Sequence, residues 1–134
     1  GLLEYAYFCG NYYGTPKAAV EEKLSQGIDV ILEIEVQGAM KVKEKYPQGV
    51  FLFVLPPSMQ ELRNRIMGRG TETMEIIEER LKTAAWEFDH ISNYDYILLN
   101  NDIEEAVKDF ENIIAAEKVK VSRNLDLIKE VCEK

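Results

Sequence analysis

The chain has 134 residues, 46% of them apolar and 30% charged, which is the size and composition of one ordinary globular domain with room for a real core. A formal net charge of -8 argues against a broad nucleic-acid face. No apolar run approaches the roughly 20 residues that span a bilayer, and two cysteines, Cys9 and Cys132, provide neither a disulfide framework nor metal-ligand spacing. A cytoplasmic setting is therefore the default expectation.

Residues 2–8, "LLEYAYF", are apolar and aromatic and read as a strand. "CGNYYGTP" reads as a turn-rich loop, with Thr15 as helix cap and Pro16 at the first helical position, where its missing N–H costs nothing. The helix that follows is expected to end at Gly27. In "DVILEIEVQG", Val30, Leu32, Ile34 and Val36 alternate onto one face, so a strand is expected over 30–36. "AMKVKEKYPQG" reads as a short helix. "VFLFVLPP" is a continuous apolar run, as in a parallel strand covered on both faces.

Ser58 and Glu61 form a capping box for a helix to about Met67, and Thr73 can cap a longer one to about His90. "YDYILLN" reads as a strand, and a helix capped near Asp102 and a helical tail complete the chain. From residue 29 onward the order β-α-β-α-α-β-α predicts an α/β layered fold with a parallel sheet. Residues 1–27 lack that alternation and are expected to form a separate lobe. The chain opens on Gly1 rather than methionine and enters a strand at once, which reads as a fragment or a processed product.

Two places carry chemistry. Glu33 and Glu35 project from one strand face about 7 Å apart. They lie at a strand's C-terminal end, where ligands bind in open α/β sheets. They could hold a hydrated Mg²⁺ or accept hydrogen bonds from a base. They could equally be the solvated face of a half-exposed strand. The second place is "NRIMGRGTETMEIIEER". The chain has five arginines, at 63, 65, 69, 80 and 123, and four fall in or beside that stretch. Arg65 and Arg69 are one helical turn apart, and Gly68 and Gly70 flank Arg69. Guanidinium forks suit phosphate oxygens, so the arrangement reads as a lid or, alternatively, as a surface turn paired with Glu61, Glu75 or Glu79.

"GNYYGT" offers phenolic donors or core plugs. Glu4 in its apolar strand is an exposed residue or a specific acceptor, and Asn100 is a strand-edge residue or a cap. The only histidine, His90, has no evident nucleophile partner.

Taken together, "LLEYAYFCGNYYGTP", "VILEIEVQGA", "FVLPPS", "RIMGRGTET" and "YDYILLNND" resemble the guanylate kinase family, whose members transfer the γ-phosphoryl of ATP to GMP in purine nucleotide metabolism. The resemblance implies a P-loop nucleoside monophosphate kinase core. Residues 1–27 would belong to a small β-containing GMP-binding lobe, residues 28–134 to the parallel α/β core, and residues 66–76 to a lid over ATP.

By resemblance, Glu4 and Glu35 read guanine N1 and N2 hydrogens, Tyr13 bonds the GMP phosphate, and Thr15 lies near the base. Glu33 faces the phosphates and, indirectly, Mg²⁺. Arg65, Arg69 and Arg80 are the catalytic phosphate clamp, and Arg65 and Arg69 serve ATP together with Asn100 at the adenine pocket. The family often has aspartate where Glu33 and Glu35 stand.

The partners implied are GMP and ATP, with no nucleic acid and no membrane. No Gly-x-x-x-x-Gly-Lys-[Ser/Thr] occurs in the 134 residues, so they are expected to match the last two thirds of such an enzyme. In enzymes of that kind the P-loop strand lies in the middle of the sheet, so without it the piece is expected to rearrange, self-associate or pair with an N-terminal segment, and not to catalyse by itself. The contrasting expectation is a non-catalytic guanylate-kinase-like module that binds a protein partner.

Overall fold

The computed structural model describes residues 2–8, 11–68 and 73–133, with side chains from residue 19 onward. The elements run β1 (Leu2–Phe8), β2 (Asn11–Pro16), α1 (Lys17–Ser25), α2 (Val36–Lys45), β3 (Leu52–Leu55), α3 (Met59–Met67), α4 (Met74–Phe88), β4 (Tyr96–Leu99), α5 (Ile103–Lys118) and α6 (Leu125–Cys132). Single 3₁₀ turns over Ile91–Asn93 and Val121–Arg123 precede β4 and α6.

β1 and β2 form an antiparallel hairpin that places Glu4 opposite Thr15 and Ala6 opposite Tyr13. This corrects two expectations. The stretch expected as a loop is largely strand, because the tyrosines at 12 and 13 favour a pleated, paired backbone over a turn. Thr15 lies in that strand rather than capping a helix. Pro16 ends the strand, a position where no ladder donor is needed, and α1 starts at Lys17. Gly27, in the left-handed region at φ 76°, closes the turn after α1 as expected.

The strand expected over 30–36 is also corrected. Residues 28–35 carry no ladder, and α2 begins at Val36. Burial still alternates: Val30, Leu32 and Ile34 are half-buried while Ile31, Glu33 and Glu35 are exposed. Alternation reports which face is covered, whereas a strand also needs a hydrogen-bonding neighbour, and none pairs with this segment among the described residues. Its inner residues pack instead on a core of Val20, Ala39, Val42 and Phe51.

β3 and β4 form a two-stranded sheet. The Asp95 N–H donates to the Phe51 carbonyl at 2.8 Å and the Asn100 N–H to the Leu55 carbonyl at 2.7 Å, so the register advances in the same direction on both strands. The architecture is thus α/β with a small parallel sheet. The expectation that β3 is covered on both faces fails at Val54, which is 58% exposed while Phe53 is buried.

The helix caps form as expected. Ser58 accepts from the Glu61 N–H at 3.0 Å, Thr73 from the Ile76 N–H at 3.4 Å, and Asp102 from the Glu104 N–H at 2.9 Å.

The described residues divide into two compact units, one of residues 1–52 and 78–95, the other of 53–77 and 96–134. In the first, Asp95 accepts from the Phe51 N–H at 2.9 Å, Tyr46 donates to Glu21 at 2.7 Å, and Lys43 donates to the Asn93 carbonyl. In the second, Glu117 is buried and receives the Tyr96 hydroxyl at 2.7 Å and the Arg123 guanidinium at 3.1 Å. These bonds tie α5 to β4 and to the turn that precedes α6.

Candidate functional site

The extended segment ends at Glu35, whose carbonyl accepts the Ala39 N–H at 2.8 Å as α2 begins. Apolar residues at 30, 32 and 34 turn inward to the core, which leaves Glu33 and Glu35 exposed. Beside Glu35 opens a cavity of about 270 Å³, lined by Glu35, Val36, Gln37, Thr83, Trp86 and Glu87. It lies wholly within the first unit.

Two carboxylates share this cavity, and no cation is among the residues that line it. Glu87 is half-buried. Loss of water around it, and then the charge of Glu35, push its carboxyl above the ordinary value of 4.5. Tyr94 feels the same field: burial first, then Glu87 and Glu35, raise its phenol. The Thr83 hydroxyl donates to the Glu79 carbonyl at 3.1 Å, so its proton is committed within α4. Trp86 stands against His90, with ring centroids 4.2 Å apart, and His90 Nδ1 lies 2.8 Å from the Trp86 carbonyl. The cavity is therefore rich in acceptors and flanked by an indole.

Glu87, Trp86 and Tyr94 are absent from the sequence reading. Trp86 and Glu87 are simply the last turn of a helix in the sequence. Their nearness to Glu35 depends on how that turn packs against residues about 50 positions earlier, for which periodicity carries no signal. The one tryptophan of the chain, next to a glutamate, is the only local hint.

The arginines have different settings. Arg65, on the last turns of α3, lies 3.2 Å from Glu61 one helical turn back and donates to the Asn100 carbonyl at 3.3 Å. Two residues expected to serve ATP, Arg65 and Asn100, are thus in contact at the end of β4, inside the second unit. The pairing with Glu61 is also what a surface turn would show. Arg80 is half-buried on α4, in the first unit. Arg69 and Gly70 lie outside the described residues, as does most of the expected joint. Gly68 ends α3 in a helical conformation, where an added Cβ would meet the Asn64 carbonyl oxygen at 2.9 Å. Close approach therefore accounts for this glycine. The hairpin positions Glu4, Tyr13 and Thr15 are described in backbone register only, and Cys9 falls outside.

No group of three or more His, Cys, Asp or Glu able to hold a metal ion occurs among the described residues. A Mg²⁺ that arrives with nucleotide phosphates keeps most of its waters and needs only one or two carboxylates. The exposed Glu33 fits that mode. Among the described residues no helix is long and apolar enough to cross a membrane.

Residues 1–117 match the family model described as guanylate kinase. The chain is 57% identical over 122 residues to the guanylate kinase of Desulfitobacterium hafniense (strain Y51), covering 91% of this chain and 61% of that protein. It is 52% identical over 132 residues to the guanylate kinase of Caldanaerobacter subterraneus subsp. tengcongensis, covering 98% and 64%. Among solved structures, the crystal structure of guanylate kinase from Anaplasma phagocytophilum superposes with a TM-score of 0.79 at 36% identity, over 98% of this chain and 64% of that one. The chain thus spans a little over three fifths of the length of the proteins it matches.

Proposed function

The chain belongs to the guanylate kinase family, and from that premise we propose that the full-length protein transfers the γ-phosphoryl of ATP to GMP, giving ADP and GDP. The supporting observation is the family match over residues 1–117, a span that contains every residue assigned a role. The acceptor-rich cavity beside Glu35 adds to it. Guanine presents N–H donors at N1 and N2, and carboxylates are acceptors only.

In this reading residues 1–27 form part of the GMP lobe, 28–134 the core, and about 66–76 the lid. Glu4 and Glu35 accept from the base, Thr15 lies near it, and Tyr13 donates to the GMP phosphate. Arg65, Arg69 and Arg80 bring positive charge to the phosphoryl group in transit, and Asn100 borders the adenine. Phosphoryl transfer needs positioning and electrostatic stabilisation more than covalent help, which is why arginines carry it. Glu33 would hold a water of an Mg²⁺ bound with ATP, and the ion would supply charge neutralisation at the phosphates. A cytoplasmic location suits soluble nucleotide substrates.

The test is a coupled assay for ADP and GDP formation on the full-length protein, with GMP against AMP. A site built to pair with N–H donors rejects the base that lacks them, and strong preference for GMP is expected. Equal turnover of the two would contradict the base assignment. Failure to phosphorylate either would leave the non-catalytic interaction module as the reading. The 134-residue polypeptide assayed alone is expected to give no GDP, because its residues include no glycine-rich loop with a lysine to hold the ATP phosphates in line.

A further inference from the structure

We propose that Glu87 is a second base-reading carboxylate, a specificity-determining residue that shares the cavity of Glu35 and accepts from the exocyclic amino group of an aminopurine. This rests on the reading of GMP as substrate and extends it to a residue on a different element, the last turn of α4.

Glu35 and Glu87 line the cavity together, and neither Val36 nor Trp86 brings a positive charge to it. The Thr83 hydroxyl proton is spent on the Glu79 carbonyl. The N–H donors among the lining side chains are the Gln37 amide and the Trp86 indole, and neither is charged. Two acceptor-only groups facing one half-dry space repel each other and lack a charged donor. A ligand that presents N–H groups relieves both problems at once.

A bound cation would do so too. The Mg²⁺ and K⁺ arm of the experiment below separates that outcome from an aminopurine. The volume, about 270 Å³, sits just below the usual range for pockets that enclose whole drug-sized ligands and suits a single heterocycle. Trp86 supplies a flat apolar wall, and its contact with His90 limits how far that wall can swing. The raised carboxyl of Glu87 and phenol of Tyr94 agree with a cluster in which negative charge is crowded and unmatched.

The experiment compares GMP with inosine monophosphate, which lacks the 2-amino group, in the full-length protein and its Glu87→Gln variant. Glutamine keeps the shape but replaces one acceptor oxygen with a donor. The preference for GMP, as a ratio of kcat/KM values, is expected to fall about 10-fold, the size of one charge-assisted hydrogen bond. Glu87→Asp, which keeps the acceptor but withdraws it by one methylene, should recover part of that ratio. A structural role would lower both nucleotides equally and leave the ratio intact, and that result overturns the proposal. So does an unchanged ratio, or a variant whose defect is relieved by raised Mg²⁺ or K⁺ alone. Wild-type protein that does not phosphorylate GMP refutes the parent reading instead, and that is seen before any variant is made.

Discussion

Glu117 and Glu87 are both carboxylates drawn out of water, and they differ in what surrounds them. Glu117 is 8% exposed and takes hydrogen bonds from Tyr96 and from the Arg123 guanidinium, with Lys120 at 4.0 Å. These donors, the Tyr96 hydroxyl foremost, hold its carboxyl below the ordinary value despite the burial. Glu87 is half-buried beside another carboxylate, and its carboxyl is pushed up. A buried charge with its partners in place holds structure together. One without them is destabilising where it stands, and it is retained where a ligand completes it. By that criterion the α5 network reads as scaffold, and the Glu35 cavity is the site we propose.

The largest effect is expected from the positive side of the same account. If Arg69 belongs to the lid we propose and acts only on closure, Arg69→Ala in the full-length protein lowers kcat about 10²-fold or more, the loss of about 3–4 kcal/mol of transition-state stabilisation. The melting temperature should barely move. An unchanged kcat, or a large drop in melting temperature, would place Arg69 with the scaffold charges instead.

A smaller effect sharpens the contrast through pH. Glu117 has a lowered carboxyl, so its bonds contribute stability that is present above the ordinary value of 4.5 and is lost as pH falls through its folded value. Glu87 has a raised carboxyl, so the fold is favoured when it is protonated and loses stability as pH rises past 4.5 through its folded value. Melting curves across pH should therefore show a deficit in Glu117→Gln that fades in acid, and a gain in Glu87→Gln that appears only as acid is removed. Parallel curves for the two variants would erase the distinction.

Much of the fold is legible in the sequence where local chemistry decides it. Ser58, Thr73 and Asp102 cap helices through their own side chains, and each does so in the structure. Segments whose state depends on a distant neighbour are less legible. Residues 28–35 alternate like a strand and keep the matching burial, but lack a ladder because no described strand pairs with them. Tyr12 and Tyr13 sit between turn-forming residues, and pairing with β1 decides in favour of strand.

At the candidate site, the exposed face carrying Glu33 and Glu35 follows from period-two alternation. The contact of Arg65 with Asn100 does not, since it joins positions 35 residues apart. Glu87 was out of reach for the same reason. Its meaning comes from Glu35 across the cavity, and in its own helix only the adjacent Trp86 sets it apart from Glu78 or Glu79.

The central claim is that unmatched negative charge beside Glu35 marks the ligand site while matched charge at Glu117 marks the frame. The most direct measurement is the melting temperature of the full-length protein with and without saturating GMP, for wild type, Glu87→Gln and Glu117→Gln. Glu117→Gln should melt lower while keeping the full upward shift on adding GMP. Glu87→Gln should melt no lower than wild type at neutral pH and lose much of that shift, because a ligand stabilises only in proportion to its affinity for the folded state. A Glu87→Gln protein that keeps the whole GMP shift, or a Glu117→Gln protein that loses it while melting normally, would contradict the account.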